Sequence, residues 1–162
     1  MQPADTRLIL REDELDATLE LLFLAEAALW STAEAALDAE GPGLGRGHYR
    51  IAFLLKRRPG AGVQELTRLT GLSKQGASRI LADLEGLGLV RKAPDAADMR
   101  RRPAVLTETG AAFEARVSER MRAHLLRAYR AGGLDAVGDA RRILNAVAGP
   151  RAANARQTGG QS

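Results

Sequence analysis

The chain has 162 residues, with 24 Lys plus Arg against 20 Asp plus Glu and no cysteine. That length suits one compact domain, or one domain with dimerisation extensions, and the missing thiols exclude disulfides, thiolate zinc sites and thiol redox sensing. Charge is uneven: residues 1–43 hold two basic and ten acidic side chains, residues 44–107 thirteen and five, residues 108–162 nine and five, so a polyanion is expected to dock on the middle third.

In chain order, Leu15, Leu19, Leu22, Phe23, Leu29, Trp30, Ala33 and Leu37 recur at spacings of three and four. This predicts a long amphipathic helix from about Glu12 to Asp38, closed by Gly41-Pro-Gly-Leu-Gly. The helix carries more apolar surface than a small module covers, so partner helices are expected. Its run Leu21-Leu-Phe-Leu-Ala is flanked by Glu20 and Glu26, which fits neither a signal peptide nor a membrane span; a cytoplasmic location is expected. Basic charge is almost all Arg, with Lys56, Lys74 and Lys92 the only lysines, and together with the Ala and Gly richness this suggests a GC-rich bacterial genome.

Tyr49, Ile51, Ala52, Leu54 and Leu55 predict a second helix between Gly47 and Arg58, stopped by Pro59-Gly60. The Lys56-Arg57-Arg58 run at its end suits either the helix dipole or contact with phosphates. Val63 to Leu69 then reads as a short amphipathic helix, Thr70-Gly71-Leu72 as a turn, and Ser73 as the cap of a further helix. This order describes a helix-turn-helix that reads double-stranded DNA, with the second helix in the major groove.

On that second helix, Ala77, Ile80, Leu81, Leu84 and Leu87 share one face, leaving Lys74, Gln75, Ser78, Arg79 and Asp83 on the other. Gln pairs bidentately with adenine, Arg or Lys with guanine, and Ser with a base edge or a phosphate. Gly76 adds no side chain and allows close approach to the groove. Any surface helix shows polar residues opposite its core face; the turn, the cap and the Arg cluster downstream, in that order, favour DNA contact. Leu89-Val-Arg-Lys and Ala104-Val-Leu-Thr read as two short strands around Pro94 to Pro103, a hairpin wing. Arg100, Arg101 and Arg102 at its tip suit a narrow minor groove.

Thr107 to Ala131, with Phe113, Val117, Met121, Leu125 and Ala128 at helical spacing, predicts a second long helix, stopped by Gly132-Gly133. Leu134, Val137, Ile143, Leu144 and Val147 mark a final one, ending at Gly149-Pro150. The expected fold is mainly α: a winged helix-turn-helix with a small β-hairpin wing, and N- and C-terminal helices forming a dimerisation region. The segments are residues 1–43, an N-terminal dimerisation helix with a flexible start; 44–107, the DNA-binding domain; 108–148, C-terminal dimerisation helices; and 149–162, a polar tail expected to be disordered. A two-fold homodimer would set two recognition helices about 34 Å apart and match a palindromic operator.

The helix-turn-helix Val63 to Leu87, the wing segment Asp98-Met-Arg100 and Leu106-Thr-Glu-Thr-Gly110 resemble the MarR family of bacterial transcription regulators over about Leu8 to Ala148. Leu44-Gly-Arg-Gly-His-Tyr-Arg50 and Ser73-Lys-Gln75 resemble a proteobacterial subgroup. The resemblance implies that Asp98 braces the wing while Arg100 enters the minor groove, and that the protein is a homodimer whose repression is relieved by a small ligand. Two departures stand out: Met99 where a basic residue is common, and Pro103 at the second wing strand, which removes a ladder donor.

The resemblance also implies a small aromatic or anionic effector, with Trp30, His48, Tyr49 and Phe53 as candidate walls and Arg46 or Arg50 as partners for an anion. The residues alone favour a structural reading of each aromatic: Trp30 and Phe53 as core or interface, His48 and Tyr49 as helix-start packing. His48 and His124 stand alone, with no nucleophile elbow, phosphate-cradling Gly motif or ligand-spaced partner. No enzyme activity, cofactor or metal is therefore expected. The leading expectation is a sequence-specific transcription regulator; the alternatives are a winged-helix protein-interaction module and a nonspecific nucleoid-type DNA-binding protein.

Overall fold

The computed structural model describes residues 10–94 and 102–149. Its elements in order are α1 (Glu12–Glu40), α2 (Arg46–Arg57), α3 (Val63–Thr70), α4 (Lys74–Gly86), β1 (Val90–Lys92), β2 (Ala104–Leu106), α5 (Glu108–Gly132) and α6 (Leu134–Ala148). The architecture is mainly helical with one two-stranded antiparallel hairpin, as the sequence predicts. The expected flexible start before Leu10, the tail from Pro150 and the wing tip from Asp95 to Arg101 lie outside the described residues.

One core joins the elements. Ala33 and Leu37 of α1, Ile51, Ala52 and Leu55 of α2, Leu66 of α3, Ala77 and Leu84 of α4, and Phe113 and Val117 of α5 are all buried together. Each large aliphatic or aromatic side chain so enclosed contributes about 1.5–3 kcal/mol. Leu87 departs from the expected inward face. The α4 helix ends at Gly86, Leu87 is its C-cap, and the side chain is 52% exposed, because the helical stripe does not continue past the last turn.

The helix-turn-helix forms as its turn residues dictate. Gly71 caps α3 in the left-handed region at φ 75°, and its N–H donates to the Thr67 carbonyl at 2.8 Å, a conformation that favours a residue without Cβ. Thr70 is buried and holds the same turn from inside: its hydroxyl donates to the Leu66 carbonyl and accepts the Leu72 N–H. Ser73 then accepts the Gly76 N–H at 3.0 Å and starts α4, which satisfies one of the donors left over at a helix N-terminus.

The wing root is fixed in register, Val90 opposite Leu106, Arg91 opposite Val105 and Lys92 opposite Ala104. Pro103 precedes β2, and its carbonyl accepts the Ala93 N–H at 3.0 Å. Lacking an N–H, Pro103 cannot return the reciprocal bond to the Ala93 carbonyl, so this pair at the end of the ladder keeps one bond of two. Thr107 joins wing to α5: its hydroxyl donates to the Gly88 carbonyl and accepts the Gly110 N–H.

In α1, residues 11–21 and 23–28 are exposed on every face, with only Leu22 half-buried. Leu15, Leu19, Leu21, Phe23 and Leu24 are among its exposed large apolar side chains. No α6 residue is buried, and Leu134, Ile143, Leu144 and Val147 are exposed. The unburied apolar surface is thus concentrated at the two ends of the chain.

Candidate nucleic-acid interface and adjoining cleft

Helix α4 packs on α2, α3 and β1 through Ala77, Leu84 and the half-buried Ile80 and Leu81. Ser73, Lys74, Gln75, Ser78 and Arg79 are all exposed at its N-terminal half. Asp83 is exposed on the same outward side, and its carboxylate lies 3.5 Å from His48 Nε2 of α2. Lys92 on β1 lies 3.8 Å from Glu85 and ties the wing root to α4. Arg102 is exposed beside the wing root, whereas Asp98, Arg100 and Arg101 lie outside the described residues.

The Lys56-Arg57-Arg58 run has specific partners within the fold. Lys56 Nζ lies 2.5 Å from Glu114 on α5, Arg57 stacks 5.2 Å from the Phe53 ring centroid, and Arg58 lies 3.6 Å from Glu65. Intramolecular pairing thus engages these cations, which also sit where a helix C-terminus favours positive charge.

A cleft of about 350 Å³ opens between α2 and α5, with Leu29 of α1 and Leu69 and Thr70 of α3 completing its walls. Of the six residues suggested for an effector, Tyr49, Arg50 and Phe53 line it. Trp30 stands behind, edge-on to Tyr49 with ring centroids 6.4 Å apart, and Arg46 covers Trp30 while its Nε donates to Glu34 at 2.7 Å. His48 serves the helix start, accepting the Gly45 N–H through Nδ1. That places the ring proton of the neutral imidazole on Nε2, facing Asp83. Arg46, His48 and Trp30 are therefore not lining residues of this cleft.

Arg57, Met121, Arg122 and Leu125 also line the cleft; the sequence pattern placed Met121 and Leu125 in a helical stripe and Arg57 in a basic run, and signalled neither their place here nor the polar chain beneath. Glu114 and Ser118 are 1% exposed, and Tyr49 is buried. The Tyr49 and Ser118 hydroxyl oxygens are 2.8 Å apart, the Ser118 hydroxyl donates to Glu114, and Glu114 accepts from Lys56. Burial raises the Tyr49 phenol above its ordinary pKa, so the phenol stays neutral at physiological pH and keeps a proton to donate. The signal available in the sequence was position: Glu114 and Ser118 are four apart and adjoin the Phe113, Val117 and Met121 stripe.

Residues 43–101 match a sequence model described as MarR family. The HTH-type transcriptional regulator PetP of Rhodobacter capsulatus is 34% identical over 146 residues, spanning 90% of this chain and 87% of that protein. The chain belongs to the MarR family. Solved MarR structures share its fold. The Mycobacterium tuberculosis MarR family protein RV2887, in complex with salicylic acid, is 27% identical and superposes with a TM-score of 0.61, covering 78% of this chain and 93% of that one. CouR from Rhodococcus jostii, bound to p-coumaroyl-CoA, is 25% identical with a TM-score of 0.68, covering 80% and 90%. As a MarR protein the chain is a winged helix-turn-helix transcriptional regulator.

Two further observations bound its chemistry. Among the described residues no cluster of three or more His, Asp or Glu side chains is arranged to hold a metal ion. No described helix is long and apolar enough to cross a membrane.

Proposed function

We propose that this MarR protein is a homodimer that binds a palindromic operator and represses transcription until a small aromatic or anionic effector occupies the α2–α5 cleft. The observation that carries the DNA reading is the exposed set Lys74, Gln75, Ser78 and Arg79 on the face of α4 opposite Ala77 and Leu84. These side chains match the donors and acceptors of the major groove, and Ser73 beside them suits a phosphate. Residues 44–107 form the reading domain, with Arg102 and the wing residues Asp98, Arg100 and Arg101 assigned to the adjacent minor groove and its bracing.

Residues 1–43 and 108–148 form the dimerisation region. Support comes from the exposed Leu15, Leu19 and Phe23 of α1 and Ile143, Leu144 and Val147 of α6. An isolated helix of this exposure gains little from its own propensity and needs tertiary packing. A second copy supplies that packing and doubles the recognition helix.

Effector control is supported by the cleft itself, whose volume suits a small molecule. Arg50, Arg57 and Arg122 line it together with Phe53, Leu54 and Met121, and among the described residues no carboxylate does. The aromatic ligands of RV2887 and CouR agree with such a lining. A gel-shift with DNA upstream of the protein's own gene tests the reading. We expect retention that survives excess scrambled competitor at physiological salt and is released by an aromatic acid. Equal competition by scrambled DNA would point to a nucleoid-type role, and no DNA binding at all to a protein-interaction module.

A further inference from the structure

Resting on the effector reading of the cleft, we infer that its polar floor selects ligands that donate a hydrogen bond and rejects those that only accept one. The inference follows from counting protons along Lys56, Glu114, Ser118 and Tyr49. A hydroxyl has one proton to give and two lone pairs to receive with. Glu114, paired with Lys56, accepts at one carboxylate oxygen from the ammonium and at the other from Ser118. Ser118 has thereby spent its only proton. Its oxygen lies 2.8 Å from the Tyr49 hydroxyl, and that contact is a hydrogen bond only if Tyr49 donates.

The direction is thus set at the far end, by the Lys56–Glu114 ion pair, and propagates to the cleft. Tyr49 and Ser118 both line the cleft, and both protons point away from a ligand. What the floor offers is the remaining lone pair on each oxygen. A phenol, alcohol or N–H group meets those lone pairs; an ether or ester oxygen in the same place meets them with its own. In a buried site an unmatched polar group loses its water without gaining a partner, and sites of this kind discriminate strongly against the analogue that lacks the proton. Glu114 and Lys56 act through Ser118 and Tyr49 as positioning residues that do not touch the ligand, whereas Ser118 both orients the Tyr49 proton and lines the cleft.

The test is calorimetric titration of the full-length protein with 4-hydroxybenzoate and 4-methoxybenzoate, which share ring and carboxylate and differ in the donor. The wild type is expected to bind the hydroxyl compound at least tenfold more tightly. In Ser118→Ala the Tyr49 proton is released from its acceptor and turns available to the ligand, so the methoxy compound gains affinity and the ratio falls towards one. Tyr49→Phe removes one of the two floor oxygens and is expected to lower the ratio as well. A merely structural role for Ser118 would weaken both ligands together and keep their ratio, which overturns the proposal. Equal wild-type affinity overturns the directional assignment alone, with the cleft still an effector site. Binding of neither compound overturns the cleft reading together with the inference built on it. Thermal melts of each variant establish that the comparison is between folded proteins.

Discussion

Gly110 shows how one residue fixes the junction between wing and scaffold. A Cβ built on it would lie 1.8 Å from the Leu89 carbonyl oxygen, and since that atom is backbone the whole strand start would have to move. Gly110→Ala should therefore cost at least the roughly 1–3 kcal/mol typical of overpacking, read as a lower midpoint in urea denaturation. Glu40 and Arg116 make a different kind of tie. Arg116 donates through Nε and a terminal nitrogen to the two Glu40 oxygens at 2.6 and 2.7 Å, joining α1 to α5. The side-chain hydrogen bond from Arg116, with a smaller Coulombic contribution from the same group, outweighs desolvation and lowers the Glu40 pKa. A carboxylate whose pKa is depressed on folding stabilises the native state above its unfolded pKa and loses that contribution as pH falls through the folded value. Arg116→Ala should thus melt below the wild type at neutral pH. The gap should close as pH drops below the ordinary Glu range; a constant gap across that range would argue against the ion pair as its source.

At the scale of elements, α4 is the part whose surface and core faces divide most cleanly. Arg79 is exposed and takes part in no described ion pair, so Arg79→Ala should leave the thermal midpoint nearly unchanged while weakening operator binding by about 1–3 kcal/mol, measured by fluorescence anisotropy. The helix-turn-helix was legible in the sequence because each boundary has a local chemical cause: Gly71 at a left-handed cap, Ser73 at an N-cap, Pro59-Gly60 after α2. The long helices were legible because their apolar periodicity runs for many turns. Leu87 was misassigned because periodicity alone does not say where the last turn ends. The floor of the cleft was harder to see for a topological reason. Glu114 meets Lys56 across 58 positions and Ser118 meets Tyr49 across 69, and a polar residue beside an apolar stripe ordinarily reads as solvated. For His48 the sequence left two readings, a cleft wall and helix-start packing, and the second holds: it caps its own helix through Nδ1.

For the whole molecule, charge and apolar exposure divide the labour along the chain. The exposed apolar residues of α1 and α6 lie on other elements than the exposed Lys74, Gln75, Ser78 and Arg79 of α4, so in the proposed homodimer association with a second copy and with DNA would use different surfaces. Replacing Phe23 by Glu on exposed α1 should convert a dimer to monomers in analytical ultracentrifugation and weaken operator binding in parallel, because one recognition helix loses the other's contribution. The most direct test of the central claim is a hydroxyl-radical footprint of the full-length protein on its operator. Two protected segments about one helical turn apart, related by a dyad in the DNA sequence, are the predicted result. A single unpaired segment, or uniform protection without regard to sequence, would contradict a homodimeric sequence-specific regulator.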